Sequence, residues 1–205
     1  LGNKIKDMGL KESRIPHFAI KEAVFPFKRF SGVDTILGPE MRSTGEVMGI
    51  DKDFGMAFAK SQIASGTKVP KKGIVFISVK DTDKNKILKP ASQLINMGFS
   101  ITATDGTAEY LNKNGVTAKK INKVLEGSPH IVGAIKEGQI SLVFNTTETP
   151  QAIKDSKSIR RSALEAEVPY YTTVSGATAA VLGIKAVTGS EFSIKTIQSY
   201  GELLN

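Results

Sequence analysis

The sequence predicts an α/β fold built on a parallel sheet. Three observations predict it. Short apolar runs at residues 74–79, 99–103 and 140–145 have the length and composition of strands buried on both faces. Amphipathic stretches separate them, and in the first of these Ile87, Leu88, Ala91, Leu94 and Ile95 share one helical face, with Gly98 as the stop. The apolar runs end in polar loops that lead into helices. Strand, loop and helix repeated in that order build a parallel sheet.

Each element has its own justification. Residues 1–12 read as the end of a helix with Gly9 near its stop, and the chain is expected to begin inside a domain. Residues 17–27 alternate and are rich in aromatics, as a strand does, and Pro26 places that strand at an edge or marks its end. Turn residues at 31–39 lead to a second strand at 40–50. On it Glu40, Arg42 and Glu46 share a face, which reads as a row of salt bridges. Asp51 or Asp53 caps a helix whose inner face is Phe54, Ala57, Phe58 and Ser61, and this helix ends near Gly66. The polar stretch 67–73, with Pro70, reads as a domain boundary.

The second part carries the sheet. Residues 80–85 read as a loop after the first strand. Pro90 conflicts with the helix that follows, because an interior proline costs about 3 kcal/mol, so the regular helix starts close to Pro90 or kinks there. Further strands are expected at 116–121, 140–145 and 168–173, and helices at 130–137, 156–167 and 175–186. Ile159, Ala163 and Leu164 face inward on the 156–167 helix, and Arg160 and Arg161 belong to its solvated face. Met41, Met48, Met56 and Met97 read as core filler. A last amphipathic piece covers 193–204.

Composition narrows the chemistry. The 205 residues are 40% hydrophobic and 23% charged, which is the balance of a folded globular chain. No apolar run is long enough to span a bilayer, and no cysteine is present for a disulfide, a thiolate metal site or a thiol nucleophile. The cysteine-free composition fits a cytoplasmic location. With only His17 and His130, a histidine-rich metal site is excluded. The net charge of +8 is spread out: residues 1–72 hold 13 basic and 8 acidic side chains, and residues 73–205 hold 15 and 12. Nucleic-acid binding concentrates basic groups on one surface, and no such run occurs.

The candidate site lies where ligands of open parallel sheets sit, off the carboxyl ends of the strands. Ser78, Lys80, Lys84, Thr104 and Thr107 fall there. Hydroxyls, ammonium groups and helix N-termini hold a phosphate; they are not equipment for breaking a bond. A plainer reading makes these threonines helix caps and leaves the lysines in solvent.

A resemblance sharpens this. Residues 21–51, KEAVFPFKRFSGVDTILGPEMRSTGEVMGID, resemble a stretch near the end of the second ATP-grasp half of carbamoyl phosphate synthetase large subunits. The segments ISVKDTDK, ATDGTA, INKVLEGSPHI and NTT resemble the C-terminal domain of that subunit, whose fold is shared with methylglyoxal synthase. The resemblance implies a strand-rich remnant of an ATP-grasp domain at 1–66, a linker at 67–73 and a methylglyoxal-synthase-like, Rossmann-like allosteric domain at 74–205, with five parallel strands flanked by helices. It implies a part in the glutamine-dependent, ATP-dependent ligase of pyrimidine and arginine biosynthesis. Its partners are the remainder of the large subunit and a small glutaminase subunit. The parent's ATP and its Mg or Mn belong outside this chain, which is expected to carry no cofactor, no metal and no catalytic residue, and to be inactive alone.

The family also implies ligands. Ser78, Lys84, Thr104, Thr107, Lys123, Asn145, Thr146 and Thr147 match the positions that hold the phosphate of a regulatory nucleotide, UMP or IMP. Glu22, Tyr170, Thr172 and Thr173 match in part a second site, for ornithine. Two departures stand out. Glu148-Thr149-Pro150-Gln151 replaces a pair of arginines found in some bacterial members, and Tyr171 stands where enterobacterial members carry an aspartate. The alternative is a lyase acting on dihydroxyacetone phosphate, with Asp81, Asp83 or Asp105 as the base. The loop at 122–129 lacks the Gly-rich, Asp-bearing sequence of true methylglyoxal synthases.

Overall fold

The computed structural model describes residues 4, 15–25, 45–122, 127 and 130–201. Glu40, Met41, Arg42, Lys123 and most of the 122–129 loop therefore lie outside the described residues.

Five parallel strands form the main sheet: β3 (Ile74–Ser78), β4 (Ser100–Ala103), β5 (Lys119–Lys120), β6 (Ile140–Asn145) and β7 (Tyr170–Tyr171). Two earlier strands, β1 (Phe18–Val24) and β2 (Gly45–Asp51), pair with each other as an antiparallel ribbon. In the sheet the order is β5-β4-β3-β6-β7. The central β3 pairs in parallel with β4 on one side and β6 on the other. Its Val75, Phe76 and Ile77 are fully buried. Each such side chain contributes about 1.5–3 kcal/mol of burial.

The helices fall into two layers. On one face α2 (Asp81–Asn96), α3 (Asp105–Lys113) and α7 (Val174–Gly189) cover a core that includes Val75, Ile77, Ile87, Leu94, Leu111 and Ile184. On the other face α4 (Ile131–Lys136) and α6 (Lys157–Glu165) enclose Phe76, Ile131, Ile135, Val143 and Ile159. A short α5 (Pro150–Asp155) precedes α6, and α8 (Ile197–Gly201) follows α7. Among the described residues no helix is long and apolar enough to cross a membrane.

Several expectations change. Residues 81–85 are not loop but the first turns of α2, and Pro90 lies buried well inside that helix. The acidic Asp81 and Asp83 favour an N-terminus upstream of the proline, where they meet the positive end of the helix dipole. The third and fifth sheet strands shrink to two residues each, since they pair at the edges of the sheet. The helix of Pro150–Asp155 was not foreseen; Thr149 caps it, its hydroxyl accepting from Ala152 N at 3.1 Å, with Pro150 at the first position. Arg160 is 5% exposed and not on a solvated face. Met48 is 56% exposed and fills no core, because its face of the ribbon points outward.

The ribbon is bound to the sheet through one helix, α1 (Phe54–Ala64), capped by Asp53, whose carboxylate accepts from Met56 N at 2.8 Å. This helix packs on the ribbon and on α7, and glycines make both contacts. A Cβ on Gly49 of β2 would lie 2.1 Å from Ala57 O and 2.4 Å from Ser61 N. One on Gly55 would lie 2.5 Å from Leu182 O of α7. Across the same seam Gly183 faces Phe58 and the Gly55 carbonyl. Backbone meets backbone here with no side chain as spacer. The polar stretch 67–73 separates the two parts along the chain, and α1 rejoins them in space.

This seam sets an expectation for stability. Gly49→Ala forces rigid backbone apart and should destabilise the chain by about 2–3 kcal/mol. Gly45→Ala has no atom within 4 Å of its new methyl and should stay within about 0.5 kcal/mol of the parent. Urea denaturation of the two variants at equal m-value checks the pair.

Candidate functional site

The carboxyl ends of β3, β4 and β6 bring most of the expected phosphate-binding residues to one edge of the sheet. Ser78 ends β3, Thr104 follows β4, and Asn145 ends β6 with Thr146 and Thr147 after it. The strand ends are tied together. Thr146 N donates to Ser78 O at 3.0 Å, and Lys80 N donates to Thr146 Oγ1 at 3.1 Å. Thr104 Oγ1 donates to Ser78 Oγ at 3.2 Å. Thr107, 2% exposed, receives Val79 N at 3.3 Å on its hydroxyl oxygen.

These threonines are not helix caps. Thr104 stands at the N-cap of α3, yet its hydroxyl makes no capping bond and reaches across to β3. Lys80 at the N-cap of α2 makes none either. By contrast Asp53, His130, Thr149 and Thr173 each cap their own helix with a side chain. The first intrahelical donors of α3 are Thr107 N and Ala108 N, both to Thr104 O, so the amides of Asp105 and Gly106 stand ahead of the helical ladder.

Lys84 completes this corner. It sits in the first turns of α2, yet its ammonium lies against the N-terminus of α3: a Cβ on Gly106 would be 3.3 Å from Lys84 Nζ. The ammonium and the positive end of the α3 dipole thus add at one point. Asp81, whose carboxylate is 2.8 Å from Lys84 Nζ, is the present counter-charge, and its side chain is 91% exposed. Lys84 holds the Asp81 carboxyl below its ordinary value through that hydrogen bond and its charge. A partly buried cation with an exposed, replaceable counter-ion suits an incoming anion.

The other lysines of this edge are also paired. Lys120 meets Asp105 at 2.7 Å, Lys80 meets Glu148 at 3.4 Å, and Lys86 approaches Asp83 at 3.6 Å. Glu148, which replaces an expected arginine, is exposed and faces Lys80.

A cleft of about 660 Å³ opens on the α7 side of the same edge, at the switch point between β3 and β6. Lys80, Thr146 and Thr147 form one wall, Thr172 and Thr173 the other, and Phe54 and Leu182 are apolar lining. Residues from both expected groups thus share one cleft. The second group is not assembled as its spacing implies. Tyr170 turns toward β6, its hydroxyl accepting from Asn145 Nδ2 at 2.6 Å. Glu22, on the ribbon, accepts from Gln62 Nε2 at 2.9 Å, and Gln62 Oε1 accepts from Tyr171 Oη at 2.9 Å. Gln62 and Tyr171 were missed as partners because their contacts join positions 40 and 109 residues apart.

Comparison with known proteins finds relatives over most of the chain. Residues 86–172 match the MGS-like domain. Over 185 residues, 90% of this chain, it is 54% identical to the carbamoyl phosphate synthase large chain of Brucella suis. Over 201 residues, 98% of the chain, it is 51% identical to that of Myxococcus xanthus. The chain belongs to the carbamoyl phosphate synthase large-chain family. It spans 16% of the Brucella large chain and 19% of the Myxococcus one. In shape it has a looser likeness to a crystal structure of methylglyoxal synthase from Elizabethkingia anophelis, 16% identical, with a TM-score of 0.42 over 56% of this chain and 79% of that one. Among the described residues of this large-chain member no group of three or more His, Cys, Asp or Glu side chains is placed to hold a metal ion.

Glu22 carries a pH signature. Burial pushes its carboxyl above the ordinary value, and the bond from Gln62 only partly offsets that. A raised folded-state pKa gives stability that is present below the unfolded value of 4.5 and lost as pH rises through the folded value. Glu22→Gln keeps an acceptor for Gln62 without the charge. It should therefore be more stable than the parent at pH 7, and the gap should close below pH 4.5. Urea midpoints across that range check this.

Proposed function

We propose that this chain is the C-terminal, regulatory part of a glutamine-dependent carbamoyl phosphate synthase large chain, and that the edge of its sheet binds the phosphate of UMP or IMP. One observation carries the reading: the Lys84 ammonium lies against the uncapped N-terminus of α3, with the exposed Asp81 as its ion-pair partner. Ser78, Thr104, Thr107 and Thr146 surround that corner with hydroxyls, and Asn145 stands beside them. A phosphate displaces Asp81, takes the Lys84 charge and accepts from the free amides of α3. Phosphate dianions are favoured over carboxylates because several donors converge on one point.

On this reading the chain makes no carbamoyl phosphate by itself. ATP, its metal ion, the rest of the large chain and the glutaminase subunit belong to the parent enzyme. The nucleotide changes the parent's activity by binding its two states unequally. Ornithine is the second effector to test, since Thr172 and Thr173 line the adjoining cleft. The lyase alternative finds less support. Asp81 and Asp105 are each engaged by a lysine, and Asp83 stands beside Lys86. Asp81, held below its ordinary value by Lys84, is a weak base for taking a carbon-bound proton.

Calorimetry with UMP and IMP tests the site. Lys84→Ala should weaken binding about tenfold, the worth of one charge-assisted contact, and leave the fold intact. Thr107→Ala should weaken it severalfold. An affinity unchanged in Lys84→Ala overturns the assignment.

A further inference from the structure

A hydrogen-bonded route leads from the mouth of the sheet to the ribbon, and it passes through β7. Successive residues of a strand point to opposite faces. Tyr170 turns one way and accepts from Asn145 Nδ2 at 2.6 Å. Tyr171 turns the other way and donates to Gln62 Oε1 at 2.9 Å, and Gln62 Nε2 donates to Glu22 Oε2 at 2.9 Å. Gln62 is 5% exposed, so both ends of its amide are satisfied inside the protein. Its orientation is fixed by its neighbours: a carboxylate takes the N–H end, and the phenol O–H takes the carbonyl end. Burial, and then the Glu22 charge, pushes the Tyr171 phenol well above its ordinary range, so it stays a donor.

The route ends at the cleft. Thr172 and Thr173 follow Tyr171 directly and form its wall. Thr173 also caps α7, its hydroxyl accepting from Gly176 N at 3.0 Å. A shift of Tyr171 is therefore a shift of the cleft wall and of the start of α7. At the seam between α1 and α7 a Cβ on Gly55 would lie 2.5 Å from Leu182 O, so the two helices have little slack there to absorb it.

We infer that Tyr171 and Gln62 are positioning residues that couple the β7–α7 wall of the cleft to the β1–β2 ribbon, so that a change at either end is felt at the other. The proposed function rests on which ligand enters. The coupling itself needs no ligand and is testable without one. Amide hydrogen exchange, read by mass spectrometry on the full chain, compares three variants. Tyr171→Phe keeps the ring beside Phe58 and Phe144 but removes the donor. It should speed exchange in β1 and β2 about fivefold, the worth of one hydrogen bond, and leave β4 unchanged. Glu22→Leu removes the acceptor on the half-buried ribbon and should speed exchange at residues 172–177 by a similar factor. Glu22→Gln, which still accepts from Gln62, should leave residues 172–177 at the parent rate. If Glu22→Leu acts only within the ribbon, or Glu22→Gln acts at 172–177 as strongly as Glu22→Leu, the coupling is overturned. The nucleotide reading fails separately, by unchanged calorimetric affinity in Lys84→Ala.

Discussion

Everything at the candidate site depends on β3 being paired in parallel on both sides. Parallel pairing with β4 and β6 puts the carboxyl ends of all three strands on one edge. That edge then receives the N-termini of the helices that follow, since a parallel strand must be left by a crossover. Ser78, Thr104 and Thr146 come together for this reason, although 68 residues separate the first from the last. Antiparallel pairing of the same strands would send them to opposite ends. The apolar run Val75, Phe76 and Ile77 is what holds β3 at the centre, because only a strand covered on both faces buries all three.

Much of this edge was legible in the sequence, and the reason is local. A strand of known direction followed by a helix fixes where its last residue lies, so Ser78, Thr104, Thr107 and Asn145 could be placed from pattern alone. Side chains that act over long sequence distances could not. Lys84 is expected at this edge as a loop residue; only the fold puts it on α2 and sets it against Gly106, where the missing side chain leaves room for the ammonium. Gln62 carries no signal in the sequence, and in the fold it is buried with partners at both ends of its amide. Arg160 was misjudged in the same way, by spacing that could not reveal the layer packed over it. Tyr170 is the tyrosine matched to the second site, but adjacent strand residues face opposite ways, and it is Tyr171 that reaches Gln62 and, through it, Glu22.

Charge at the edge is balanced rather than simply basic. Lys80, Lys84, Lys86 and Lys120 each have a carboxylate within ion-pair reach. The exposed members of such pairs contribute little to stability, so they are easily exchanged for another anion. Lys84 differs because its side chain is mostly buried while that of Asp81 is not. The cost of desolvating the ammonium is already met by the fold, and a ligand has only to replace a solvated carboxylate. On the proposed reading, selectivity for a phosphate follows from the number of donors converging there, the ammonium, the hydroxyls and the free amides of α3, and not from net charge.

The ribbon is held to the sheet in two ways that differ in kind. At the glycine seam the contact is steric: backbone touches backbone at Gly49 and Gly55, Gly183 packs on the Phe58 ring, and the contact has no preferred polarity. It fixes distance and resists separation, but it does not distinguish one state of the mouth from another. The chain through Tyr171, Gln62 and Glu22 is directional, since each group must present a donor or an acceptor to the next. Breaking one link leaves a buried polar group unpaired at about 1–3 kcal/mol, which shifts a two-state equilibrium by about fivefold to a hundredfold. A seam without slack and a polar chain with a fixed sense together form a lever. The seam keeps α1 and α7 from sliding apart, so a displacement of the α7 N-terminus has to appear at the ribbon.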